Sequence, residues 1–488
     1  MQTLGLMAAL FALGCAGGEA GLTPSDGGAE PDSGTGGASA GPACAASEKA
    51  CTGACVSVND PEHGCSGTSC APCSTPNATA GCTKAGCSIA ACNAGHADCD
   101  GERANGCEVS TADDPAHCGA CGHACSTAGG SAKCVAGVCA TACDQGRADC
   151  DGQPENGCET ELLTDAQHCG ACGHDCQGTS CSVGLCAATW LTEEPAGANC
   201  AGPLAVDGGD VFFVSGDGAL KKVKTGGTPE VLLPGAGRTL HDMALDSTHL
   251  YLLDTFKREV LRLPRLGGAS EKIGSFTDYF VKTTNVYVVT DGTQVFWLDH
   301  VSGVVNDIKR YKLPAGPEVV WRSAGAQATV FDIALFGEYL YWIEDDAIWR
   351  AKAAQANAVP ELVAPSIVAS RLAVGGGALH WIGQASKQPT EKPGVVRLGA
   401  GGTPELLSES ANVIALAPEP SEVFFRTGLP LSGDTRLLRV LPGQADALPI
   451  VTDKSKLGEA FYERSIAVDS KFLYANVPCK KGVLRVAR

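Results

Sequence analysis

Three observations predict an all-β chain: a C-terminal seven-bladed β-propeller, six blades being the alternative, preceded by a disulfide-rich, loop-dominated repeat stalk. Two apolar strands around a tight acidic turn, clearest at Gly337–Lys352 (G-E-Y-L-Y-W-I-E-D-D-A-I-W-R-A-K), recur between Leu204 and Arg488. Of 27 cysteines, 24 lie between Cys44 and Cys186 in sets of eight. Charge is segregated too: residues 1–196 carry 5 Lys/Arg against 23 Asp/Glu, and residues 197–488 carry 31 of each. That imbalance argues against nucleic acid as a partner, because phosphate binding needs clustered Lys and Arg.

Residues 1–15 read as an export signal. Leu4–Leu13 is too short to span a bilayer and long enough for a signal-peptide core. It runs into Ala12-Leu13-Gly14-Cys15, which resembles the lipobox of bacterial lipoproteins. The resemblance implies a lipidated Cys15 and an exported protein at the outer membrane or cell surface of a Gram-negative bacterium. The lipid anchor would then be its one membrane contact. Residues 16–43 are rich in Gly, Ala, Ser, Pro and acidic groups, with almost no large apolar side chains. Such a segment buries too little surface to offset its ordering entropy and is expected to be a disordered tether.

Residues 44–186 divide into a divergent Cys-rich unit (44–91) and two copies of one repeat (92–142 and 143–186). Cys92, Cys99, Cys107, Cys118, Cys121, Cys125, Cys134 and Cys139 match Cys143, Cys150, Cys158, Cys169, Cys172, Cys176, Cys181 and Cys186, with only the spacing before Cys181 changed. Cysteine this dense belongs in an oxidising compartment. An even count per unit predicts self-contained disulfides, whose pairing the spacing leaves open. The pattern resembles the myxobacterial-type Cys-rich repeats of surface lipoproteins in large-genome Gram-negative bacteria, and its C-G-A-C-G core is similar to the stigma-specific secreted proteins of plants. Neither resemblance implies an activity.

Two site readings attach to the repeats. C-G-A-C-G with His117 and His123, or His168 and His174, has the ligands of a zinc knuckle. Asp98, Asp100, Asn105 and Glu108, matched by Asp149, Asp151, Asn156 and Glu159, offer hard oxygen ligands of the kind calcium takes. The alternative is that these groups are solvated turn residues in a disulfide-held loop. No cofactor is required by the sequence, and calcium is the candidate its carboxylates suggest.

Residues 187–488 form the repeat array. Inner strands are expected to open at Leu204, Met243, Tyr279, Ile333, Leu372, Ile414 and Ile466, at the period of propeller blades. A second strand carries Phe212, Tyr251, Tyr287, Tyr341, His380, Phe424 or Tyr474; a third carries Lys222, Arg262, Arg310, Arg350, Arg397, Arg439 or Arg485. The last unit lacks an outer strand, and Ala188–Glu193 is predicted to fill the gap and close the ring. A Cys200–Cys479 disulfide is expected to clamp that seam. The array resembles bacterial propeller-like domains of unknown function. Tyr341-Trp342 with Ile348-Trp349-Arg350 is similar to the YWTD propellers of lipoprotein receptors, with Ile343-Glu344 standing where those carry Thr-Asp.

A binding site is expected where the loops entering the inner strands converge. Pro203, Asp242, Asp278, Asp332, Arg371, Val413 and Ser465 stand just before those strands, and His241, Asn412 and Arg464 one residue earlier. Three Asp on consecutive blades beside an Arg suit a cation, a sugar or a peptide; alternatively each Asp caps its own loop. No nucleophile elbow, zinc helix, phosphate loop or dinucleotide fingerprint occurs, so no catalytic residue is assigned. The expected function is binding or adhesion to an extracellular or envelope protein or glycan. The alternatives are a metal-dependent hydrolase, lactonase or lyase using Asp242, Asp278 and Asp332, and a purely structural envelope component.

Overall fold

The computed structural model describes residues 43–193, 202–277, 287–301, 305–312, 315–322, 330–355, 358–365, 367–386, 392–399, 402–410, 412–428, 435–441, 447–451, 465–477 and 482–488. The chain divides into two compact units, one ending at Glu108 and the other spanning Val109–Arg488. Cys15, Cys200 and Cys479, with Asp278 and Arg464, lie outside the described residues. No helix among the described residues is long and apolar enough to cross a membrane.

In the first unit two hairpins, Glu48–Cys51 with Ala54–Ser57 and Ala78–Thr83 with Gly86–Cys92, are laced by Cys44–Cys55, Cys51–Cys70, Cys65–Cys82 and Cys73–Cys87. Numbering the eight cysteines in order, the pairing is one–three, two–five, four–seven and six–eight. The last repeat, in the second unit, has the same plan: Cys143–Cys158, Cys150–Cys172, Cys169–Cys181 and Cys176–Cys186. The divergent unit and the regular repeat are therefore one scaffold. With so little apolar core, the bridges supply the stability, each contributing about 2–4 kcal/mol. Such disulfide density marks an exported or extracellular protein.

Seven four-stranded antiparallel sheets follow, each running from its inner strand outward. Blade one is Leu204–Asp207, Asp210–Val214, Leu220–Lys224 and Glu230–Leu233. Each inner strand touches that of the next blade, and that of blade seven touches that of blade one, so the ring closes. Closure uses the predicted segment: Thr189–Trp190 is the outer strand of blade seven, with Thr189 opposite Arg485 and Trp190 opposite Leu484.

The sequence columns become one straight ladder across each blade. In blade four, Ala334 pairs with Tyr341, Tyr341 with Arg350 and Arg350 with Glu361. Blade two repeats this with Ala244, Tyr251, Arg262 and Glu271. Second strands are buried on both faces because each blade lies between two others; Phe212 and Phe213, or Tyr341 and Trp342, are neighbours in sequence and both inaccessible. The acidic turn is local chemistry. Asp345 and Asp346 take φ of 49° and 58°, the left-handed conformation that a two-residue hairpin turn requires and that Asp tolerates.

Blades three and six correct the expected register. The inner strand of blade three is Val288–Thr290, whereas Tyr279, the expected opening residue, lies outside the described residues; Phe296 rather than Tyr287 faces Arg310. Tyr287 instead stands just before the inner strand. In blade six Ala417 rather than Ala415 faces Phe424, two residues beyond the expected position, and the bulge between Val413 and Ala415 is the one blade two also carries between Leu240 and Asp242.

Candidate functional site

Those corrections rebuild the column before the inner strands as Pro203, Asp242, Tyr287, Asp332, Arg371, Ala415 and Ser465. Two of the three predicted Asp belong to it. Both are 1% exposed and tie blades together. Asp242 Oδ2 accepts the Val288 backbone N–H of blade three at 2.8 Å. Asp332 Oδ1 accepts the N–H of Ile333 at 2.7 Å, and its Oδ2 accepts that of Leu372, on blade five, at 2.8 Å. His241 is half-buried on the inner strand of blade two. Asn412 is exposed at φ 62°, and its carbonyl accepts the Gly428 N–H at 3.0 Å.

Other seams carry polar ties, one of them from the basic column of the third strands. Arg310 Nη1 donates to the Ala353 carbonyl at 2.7 Å between blades three and four. Arg426 Nη1 donates to the Asn476 carbonyl at 3.1 Å between blades six and seven, and Asn476 Nδ2 to the Val214 carbonyl at 3.0 Å between seven and one. Complete burial pushes the Arg426 guanidinium down to about 10. Arg426 and Asn476 sit where the repeats disagree, so only a signal of broken periodicity could have flagged them.

A cavity of about 330 Å³ runs along the ring axis, lined by inner-strand residues of all seven blades, among them Leu204, Leu245, Val289, Leu335, Leu416 and Ile466. Among the described lining residues Arg371 carries the only charge. Its guanidinium lies 5.2 Å from the ring centroid of Tyr287, two blades away, within cation–π range. The cavity thus pairs one cation with a bore of mixed polar and aliphatic surface. A second cavity of about 690 Å³ opens between blades four and five, against Tyr341, Arg350 and Arg397.

In the Cys-rich loops, Asp98, Asp100 and Glu108 bring carboxylate oxygens within 4.8 Å of one another, as do Asp149, Asp151 and Glu159. Each carboxylate already holds its own turn. Asp98 accepts Gly101 N–H at 2.7 Å, Asp100 accepts Glu102 N–H at 2.7 Å and Asn105 Nδ2 at 2.9 Å, and Glu108 accepts Cys99 N–H at 3.0 Å. The second copy repeats this with Gly152, Gln153, Asn156 and Cys150. Backbone N–H donation, then the Asn amide, lowers the Asp100 and Asp151 pKa values. Zinc is ruled out at C-G-A-C-G: Cys118 and Cys169 are bridged to Cys134 and Cys181, and Cys121 and Cys172 are also in disulfides. The histidines brace the turn instead. His123 Nδ1 lies 2.6 Å from the Cys118 carbonyl, and His117 Nδ1 accepts Gly122 N–H at 3.0 Å.

No family model matches the chain, and no curated protein matches it. Solved structures similar to it include a streptogramin B lyase (TM-score 0.46, 12% identity, 61% of this chain and 97% of that one). Another is YCF48 bound to D1 peptide (0.44, 15%, 62% and 96%). A third is a puromycin-hydrolyzing peptidase of Mycobacterium tuberculosis (0.42, 15%, 54% and 47%). Likenesses this distant bear on neither activity nor ligand.

Proposed function

We propose that the protein is a non-catalytic binding module of the cell surface, tethered through a lipidated Cys15 and presenting its propeller to an extracellular or envelope protein or glycan. The observation that carries this is the axial cavity, lined by aliphatic side chains and polar surface in similar measure, with Arg371 as the charged group at its wall among the described residues. Such a site fits an apolar ligand segment ending in an acidic or carbonyl group. Two of the three carboxylates that acid–base or metal chemistry would use at the mouth have other work, and the third, Asp278, lies outside the described residues. Asp242 and Asp332 are buried and accept backbone N–H groups across blade seams.

The test uses the full exported chain on an array of envelope glycans and peptides, read with and without chelator. Chelator-insensitive binding that weakens in Arg371→Ala is expected. Turnover of an ester or lactone that chelation abolishes would overturn the reading in favour of an enzyme.

A further inference from the structure

The cavity between blades four and five is a second place where the fold departs from its own repeat. Every blade stacks an aromatic column against the next, which should leave no gap. Here blade five presents Gly377, Ala378, Gly399 and Gly402, and a space of about 690 Å³ opens opposite Phe336 and Tyr341. Small residues on one wall facing aromatics on the other make the space.

Its polar groups are paired, and the pairing limits what can bind. Arg350 Nε donates to Glu361 Oε2 at 2.8 Å, and Arg397 Nη2 donates to Glu405 Oε2 at 2.6 Å. Each Arg and each Glu keeps part of its surface in solvent: Arg350 is 35% and Arg397 31% exposed, Glu361 53% and Glu405 48%. The two guanidiniums that line the rim of the space are therefore each offset by a carboxylate on an outer strand, Glu361 on blade four and Glu405 on blade five, outside the lining itself. An anion would have to displace Glu361 and Glu405 from the two guanidiniums, and a cation would meet those guanidiniums directly. A hydroxyl both donates and accepts, so vicinal hydroxyls match such a rim. Phe336 and Leu362 offer surface to the apolar C–H face of a ring, over the buried Tyr341 and Leu379, and the volume lies in the range of small-ligand sites.

We propose that this groove is a binding site for a neutral saccharide of one to three sugar units, distinct from the axial cavity and independent of Arg371. Arg350, whose column is scaffold elsewhere in the ring, becomes a ligand contact here, while Tyr341 stays buried against the ion pair.

The experiment is saturation-transfer NMR and calorimetry on the full chain with maltotriose, cellotriose and chitotriose, and with 3′-sialyllactose as the anionic control. At least one neutral sugar is expected to bind with Kd on the order of 1 mM or tighter. Arg397→Gln and Ala378→Leu should each weaken it by about tenfold or more, whereas Arg371→Ala leaves it unchanged. Ala378→Leu fills the groove without touching an ion pair, so it still reports if Arg397→Gln fails to fold. No transfer to any neutral sugar, transfer unaffected by the groove variants, or binding of the anionic sugar alone would each overturn the assignment. None of these results bears on the Arg371 cavity, whose own variant decides that reading.

Discussion

The hydroxyl of Thr192 accepts the backbone N–H of Val483 at 3.0 Å, joining residues 291 apart in sequence. The ring closes through this bond and the two-residue strand before it, so Thr192→Val leaves a buried N–H without its acceptor. A loss of about 1–3 kcal/mol is expected, read by denaturant unfolding. A variant as stable as the parent would show that the outer strand of blade seven contributes little to closure.

The stalk and the ring are predicted to share stability at that seam. Cys169, Cys176 and Cys186 belong to the same buried cluster as Leu473, Leu484 and Val486 of blade seven. Replacing Cys176 and Cys186 by Ser should cost about 2–4 kcal/mol and lower the melting of the propeller as well as that of the repeat. Near-ultraviolet circular dichroism of the propeller tryptophans separates the two: loss of the repeat without a shift in the tryptophan signal would contradict the coupling.

Asp332→Ala removes the acceptor for two N–H groups, those of Ile333 and Leu372, in a site that is 1% exposed. The expected loss is about 2–5 kcal/mol, partly restored by Asp332→Asn, which keeps one carbonyl acceptor. Equal stability of the Ala and Asn variants would show that the inter-blade bond is not what the carboxylate supplies.

His380 stands in the aromatic column and is 2% exposed. Burial first, and then the nearby Arg397 charge, push its imidazole down to about 4. A group with a folded pKa below its unfolded 6.5 contributes stability above pH 6.5 and loses it as pH falls toward 4. That contribution is at most about 3 kcal/mol. His380→Phe should flatten the stability profile across this window, measured by chemical unfolding at several pH values. A profile identical to the parent's would contradict it.

The ladder was legible in the sequence because it obeys one register. Alternation placed Tyr251, Tyr341 and Tyr474 opposite Arg262, Arg350 and Arg485, and the structure pairs them so. Blade three was misread because D-Y-F-V-K at 278–282 has a strand's apolar texture, whereas its true inner strand is the three residues Val288–Thr290. Pairing with the hairpin of Phe296 and Arg310 sets that register, and pairing is not a local property. The role of Asp242 was hidden for the same reason: its acceptor sites face an amide 46 residues on. The groove at blade five was harder still, since it arises from small side chains across a seam, where no column marks an absence.

A binding propeller must hold its ligand and return it unchanged. The decisive measurement is equilibrium dialysis of the full chain against its strongest array ligand, with mass spectrometry of the dialysate, for the parent and for Arg371→Ala. The predicted result is an intact ligand in both, with affinity lower by about tenfold or more in the variant. A ligand recovered cleaved or isomerised by the parent chain, or bound equally well without Arg371, would contradict the proposed function.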